Sequence, residues 1–241
     1  MRSAFIALAA VPALSACNSA NEDAEGAGEA SESESEAAEP TATLPNGEPA
    51  YPGLDLTAVE DTGVNGDIHL VNFETEATLD EVFDFYRTAY LEGGYEIESS
   101  TINVRDEDAG TNSSFSVGPW QDGTRASMSP GGAQTGFDMS REYGEGFPAY
   151  PNAEADSVQD NINGDYRSVS FETSDSVSDV YDFYREALAR SFSVDAMSLR
   201  AENAETERTI TLTILPRYNS DGARVSLAVR DPALEASAGG E

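Results

Sequence analysis

The chain has 241 residues, with 45 acidic side chains against 13 basic ones and a formal net charge of −32. Every basic residue is arginine and there is no lysine, which removes Schiff-base, phosphate-loop and kinase mechanisms that need a lysine amine. The negative field argues against nucleic-acid partners, whose phosphates need basic contacts.

Residues 1–16 read as an export signal. Arg2 supplies the positive start, Ala4 to Ala13 an apolar run, and Leu14-Ser15-Ala16-Cys17 the processing end. The run is shorter than the ~20 apolar residues that span a bilayer. Leu-Ser-Ala-Cys resembles the lipobox of bacterial lipoprotein precursors. The resemblance implies cleavage before Cys17, lipidation of that residue and anchoring to a membrane through its acyl chains. Asn18, where an acid would imply retention in the inner membrane, points to the periplasmic face of the outer membrane if the cell is Gram-negative. The alternative is an ordinary secretory signal with an incidental cysteine. Cys17 is the only cysteine, so no intramolecular disulfide can form.

Residues 17–47 read as a lipidated cysteine followed by an acidic, disordered tether of Ala, Glu, Ser and Gly, too poor in apolar surface to offset the entropy of ordering. About 30 residues of coil span roughly 30 Å. A spacer role is favoured over an acidic partner-binding tail.

Beyond the tether one pattern occurs twice. Asn65-Gly66-Asp67, Val71 to Thr75 and Val82 to Arg87 return as Asn163-Gly164-Asp165, Val169 to Thr173 and Val180 to Arg185. The displacement is constant, since 163 − 65, 171 − 73 and 184 − 86 all give 98. This predicts an α+β fold of two tandem repeats, residues 48–142 and 143–235, with a flexible tail over 236–241. Each repeat is expected to be an antiparallel sheet with one helix on a face: ββα followed by three or four strands.

Each module opens with Pro-Ala-Tyr-Pro, which holds Tyr51 and Tyr150 on stiff, extended segments and suits them as core lids. Strands are expected over Leu54 to Glu60 and His69 to Phe73 around an Asn-Gly turn. Thr78-x-x-Glu81 and Ser176-x-x-Asp179 resemble capping boxes. They start helices whose apolar faces carry Val82, Phe83 and Tyr86, and Val180, Tyr181 and Tyr184. Asp84 with Arg87, and Asp182 with Arg185, read as solvated pairs within each helix. Phe85 and Phe183 lie off the core stripe, which makes them, with Tyr51 and Tyr150, candidate contacts between modules or with a partner. Further strands are expected over Tyr95 to Thr101, Ser114 to Trp120, Thr124 to Ser129 and Gly136 to Arg141. In the second module they are expected over Phe192 to Ala201, Thr209 to Leu215 and Ala223 to Val229, with Tyr143 to Gly146 joining the modules.

The pattern Tyr-Pro, Val-x-Phe-x-Thr and a capped helix ending in Phe-Tyr resembles a module of uncharacterised bacterial lipoproteins. It is carried here by Tyr51-Pro52, Val71 to Thr75 and Phe85-Tyr86, and by their counterparts. The Gly-Trp pair common after the helix is replaced by Gly94-Tyr95 and Ser191-Phe192. The resemblance implies the fold and an envelope location but no catalytic residues and no cofactor.

No nucleophile elbow of the Gly-x-Ser-x-Gly type is present. The single histidine, His69, reads as a surface strand residue. Glu74 and Glu172 read as structural acids near a helix N-terminus, and Trp120 as a packing residue. The Asn-Gly turns lack the ligand spacing of a calcium loop, so no metal residues are assigned. Calcium at Asp106-Glu107-Asp108 is the third and weakest possibility. The expectation is a non-enzymatic binding or scaffold module for an envelope protein or small ligand. The alternative is a carboxylate-based hydrolase of envelope polymers, which a desolvated carboxylate of raised pKa in a cleft would favour.

Overall fold

Thr78 and Ser176 open the two long helices as their spacing requires. Thr78 Oγ1 accepts from the Glu81 N–H at 3.3 Å while the Glu81 carboxylate accepts from the Thr78 N–H at 2.8 Å. Ser176 Oγ accepts from the Asp179 N–H at 3.1 Å. The helices are α1 (Leu79–Glu92) and α2 (Val177–Ala189). These features are seen in a computed structural model that describes residues 42–131, 138–144, 147–164, 166–218 and 221–234. The signal, Cys17, the tether to residue 41 and the 236–241 tail lie outside them. No helix among the described residues is long and apolar enough to cross a membrane.

The strands are β1 (Glu60–Asn65), β2 (Ile68–Thr75), β3 (Glu96–Asp106), β4 (Thr111–Trp120), β5 (Gly123–Ser129), β6 (Glu142–Gly144), β7 (Phe147–Pro148), β8 (Gln159–Asn163), β9 (Tyr166–Thr173), β10 (Ser193–Asn203), β11 (Arg208–Pro216) and β12 (Ala223–Arg230). The α+β class with a large antiparallel sheet is as expected. Two strand expectations change. Leu56–Ala58 is a 3-10 turn capped by Asp55, so the first strand starts at Glu60. The predicted strand Gly136 to Arg141 is a turn over its described part, where Asp138 accepts from the Ser140 and Arg141 backbones; residues 136 and 137 lie outside the described residues.

Ten strands join in one sheet, ordered β1-β2-β12-β11-β10-β3-β4-β5-β9-β8. The N-terminal hairpin therefore pairs with the last strand of the chain, and the β8-β9 hairpin pairs with β5. The helices follow their hairpins: α1 lies against β10 and β11, and α2 against β3, β4 and β5. Separate sheets for residues 48–142 and 143–235 do not form; each hairpin and helix completes the strands of the other half. At both junctions a glycine permits the approach. A Cβ on Gly222 would lie 2.2 Å from the Thr75 carbonyl oxygen, and one on Gly123 would lie 2.4 Å from that of Thr173.

The core lies between the helices and one sheet face. Val82, Phe83, Tyr86 and Tyr90 of α1 and Val180, Tyr181, Tyr184 and Leu188 of α2 are buried against alternating strand residues such as Ile210, Leu212 and Ile214. The helices also meet each other. Phe83 stacks on Tyr181 with ring centroids 4.7 Å apart and planes 15° apart. Arg87 makes a two-pronged bond to Asp182 at 2.7 and 2.9 Å, and Arg185 returns it to Asp84. The pairs within each helix thus give way to crossed pairs between helices, with Arg185 also 3.9 Å from Asp182.

Crossing has a measurable consequence. A double-mutant cycle on Arg87→Ala and Asp182→Ala should give a coupling of ~1 kcal/mol, the upper end for a partly exposed pair because it is bidentate. The cycle on Arg87 and Asp84 should give close to zero. Equal couplings in the two urea-denaturation cycles would contradict the crossed arrangement.

Residues 42–50 fold back on themselves, the Ala50 N–H donating to the Ala42 carbonyl at 2.6 Å, and in the second half the Ala149 N–H likewise donates to the Arg141 carbonyl at 2.9 Å. The first of these loops corrects the C-terminal boundary of the tether. Leu44, Asn46 and Glu48 are buried, and Asn46 Nδ2 donates to the Leu227 carbonyl at 3.4 Å. A Leu and an acid that can reach an arginine were enough to pin this stretch.

Candidate functional site

Two places concentrate polar groups: a buried cluster under the 42–50 loop and the uncovered face of the sheet. In the first, Glu48 is 3% exposed. Its Oε1 lies 2.7 Å from Arg208 Nη2, which also donates to the Asn46 carbonyl at 3.1 Å. Arg208 Nη1 reaches the Tyr95 hydroxyl at 3.4 Å and Asp231 stands 3.7 Å from Nε. Burial pushes the Glu48 carboxyl above its ordinary range, with Arg208 opposing the shift. Burial, and then the Glu48 charge, pushes the neighbouring Tyr90 hydroxyl well up. This is the desolvated carboxylate that acid chemistry needs, but it is turned inward and occupied by a guanidinium.

The second place follows from strand alternation. Residues flanking the buried ones on each strand point away from the helices, and no described α-helix lies over them. Register brings a single row of them together. Ser198 of β10 faces Thr101 of β3 at the centre. On one side the row continues through Thr213, Ser226 and Asn72. On the other it runs through Ser116, Ser127 and Ser170. Eight hydroxyl or amide side chains thus cross eight strands without a charge, although 24% of the chain is charged. At about 4.8 Å per strand the row extends roughly 34 Å. The side chains of Thr101, Ser198, Thr213 and Ser226 make no hydrogen bond within the described residues.

Polar and aromatic groups flank the row. On one side Arg125 stacks over the Trp120 ring at 4.8 Å, and the two line a depression of about 270 Å³ with Ser116 and Ser127. On the other, Asn103, Asn112, Ser114 and Asp195 line a depression of about 470 Å³ with Tyr166. The Tyr166 ring is 57% exposed and its hydroxyl is held by Ser129 at 2.7 Å. Asp195 is the extra residue where the β10–β3 register shifts beside Asn103. At the other shift the extra residue is Glu98, and there Arg200 donates to it at 2.8 Å. An ion pair fills one position, while an amide and an acid leave the other open.

The remaining candidates are placed as follows. Phe85 packs edge-on against Tyr51 with centroids 5.2 Å apart, and Phe183 against Tyr150 at 5.1 Å. Their ring partners thus lie in their own halves, and Phe83 with Tyr181 makes the ring contact between helices. Tyr150 stacks on Phe171 and donates to Asp175 at 2.7 Å; burial first, then that bond, raises its pKa. His69 is only partly exposed and donates to Asp61 at 2.8 Å, which holds the Asp61 carboxyl below its usual range. Its counterpart Arg167 is buried and grips Asp160 at 2.8 and 3.0 Å. Glu74 pairs with Arg217 at 3.1 Å. Asp106 accepts from the Asp108 and Ala109 backbones, which makes its cluster a turn. Trp120 is 42% exposed and stands on the open face rather than in the core. Among the described residues no group of three or more His, Cys, Asp or Glu side chains is placed to hold a metal ion.

No protein-family model matches this chain, and no curated protein or solved structure matches it significantly.

Proposed function

We propose that the chain is a membrane-anchored envelope lipoprotein acting as a non-enzymatic binding module. Lipid on Cys17 holds it to the membrane, at the periplasmic face of the outer membrane if the cell is Gram-negative, and an acidic spacer holds the folded part clear. Two copies of one ββαβββ unit form the folded part, having exchanged their hairpins and helices.

The observation that carries the binding reading is the open face. Its row is uncharged and partly exposed from Asn72 to Ser127, with Ser170 buried beside Arg125 at one end and no described α-helix over it, whereas Glu48, the carboxylate with a raised pKa, lines neither depression there. Such a surface offers many weak hydrogen bonds, and among the described residues none of its hydroxyls is bonded to a histidine or carboxylate that could activate it, which suits holding a ligand rather than transforming one.

Crosslinking in intact envelopes tests both parts. Wild-type protein should fractionate with membranes and crosslink to one abundant partner or polymer. A Cys17→Ala variant should be released to the soluble fraction and lose that crosslink. A soluble wild type would overturn the anchor, and no crosslink from membrane-bound protein would overturn the binding role.

A further inference from the structure

We infer that the open face binds an extended, neutral polysaccharide strand that lies across the β-strands along the row centred on Thr101 and Ser198. The inference rests on the binding reading and names the ligand class for the same face.

Spacing is the first argument. Adjacent strands set the hydroxyls about 4.8 Å apart, close to the advance of one pyranose ring along an extended, β-linked chain. Each sugar can then meet one rung. The row also rotates as it crosses, because neighbouring strands twist by roughly 20–25°. A chain with free glycosidic torsions can follow that rotation, whereas a rigid planar ligand cannot.

Chemistry is the second. Hydroxyl and amide groups both donate and accept, and the central ones are free to bond to a polyol. Trp120 and Tyr166 stand partly exposed at the two borders, where the apolar face of a sugar can pack against the Tyr166 ring and against the side of Trp120 that Arg125 does not cover. Charge is the third. A chain of net charge −32 repels polyanions; of the two arginines beside the row, Arg200 is held by Glu98 and Arg125 lies over the Trp120 ring. A peptide would gain more at a sheet edge, where unpaired backbone groups are available.

The test uses the full mature protein and chitohexaose, a neutral β-linked hexasaccharide, followed by calorimetry and by the emission of Trp120, the only tryptophan. Binding is expected to be at least tenfold tighter for the hexamer than for the dimer, with a change in Trp120 emission. Ser198→Arg, an outward substitution that should leave the melting temperature unchanged, should weaken it at least tenfold. Three results would overturn the inference: no heat and no emission change at millimolar hexamer, equal affinity for dimer and hexamer, or undiminished binding by Ser198→Arg. If the hexamer fails while Ser198→Arg still abolishes the envelope crosslink, the polysaccharide class falls and the binding role stands. If the crosslink is also absent from wild type, both fall.

Discussion

Residues 42–144 produced alone are expected to assemble as a homodimer and not to fold as a monomer. In the whole chain β2 is bonded to β12, β5 to β9, and α1 rests on β10 and β11. A half-chain monomer therefore has three inner strands, β2, β3 and β5, each short of a neighbour, and a helix without its platform. Two half-chains can restore everything. The β3–β10 register is centred on Thr101 and Ser198, with its two extra residues, Glu98 and Asp195, at matching distances from that centre. A second copy of β3 fits the same register. Arg87 would then meet the partner's Asp84 as it now meets Asp182. Light scattering should give twice the half-chain mass at micromolar concentration, with loss of structure on dilution. A monomeric half-chain with a cooperative unfolding transition would contradict the pairing of hairpin with distant strand.

Replacing Arg208 by Leu should destabilise the protein by about 3 kcal/mol at pH 7, the lower end of the ~3–5 kcal/mol for stripping one partner from a buried pair. The lower end applies because the Arg208 side chain is 24% exposed. The loss should depend on pH, with a sign that identifies Glu48. Its folded pKa lies above the unfolded value, because burial outweighs the guanidinium. A raised carboxyl favours folding fully below the unfolded pKa, and that contribution disappears as pH rises through the folded one. Removing Arg208 raises the folded value further, so the deficit relative to wild type should grow between about pH 4.5 and 7. Urea denaturation at the two pH values checks this when both proteins also carry Asp231→Asn, which removes the second carboxylate beside Arg208; the remaining carboxylates act alike in each. A deficit that is flat or larger at low pH would show that the cluster is held by something other than the Glu48 charge.

Helices and turns were legible because their signals are local. Thr78 with Glu81 and Ser176 with Asp179 sit three residues apart, and the alternation from Thr209 to Ile214 marks a strand with one buried face. Strand partnership was not legible, for a physical reason. The two copies present nearly the same pattern to β2, so β5 and β12 are comparable partners on alternation alone. The observed partner is β12, in the arrangement that also stacks Phe83 on Tyr181. Phe85 and Phe183 are off-stripe aromatics that pack on Tyr51 and Tyr150 in their own halves, while the interhelical stack uses Phe83 and Tyr181, two positions earlier on the core stripe. The Ser/Thr row was invisible for a different reason. Its members are scattered from Asn72 to Ser226 and only register aligns them, while a lone serine on a strand carries no signal.

Phe73 of β2 pairs with Val225 of β12, 225 − 73 = 152 positions later. A ribosome that has made three-quarters of this protein has therefore made a hairpin with no neighbour. At about 5–20 residues per second, the first strands wait roughly 8–30 seconds for the last one. Contacts of such long separation also slow the search for the native state once the chain is complete. The first hairpin of the nascent protein consequently stays without that partner until synthesis nears its end. A nonsense codon between β11 and β12 would leave β2 and β11 as two bare edges, a product for proteases rather than a smaller working protein.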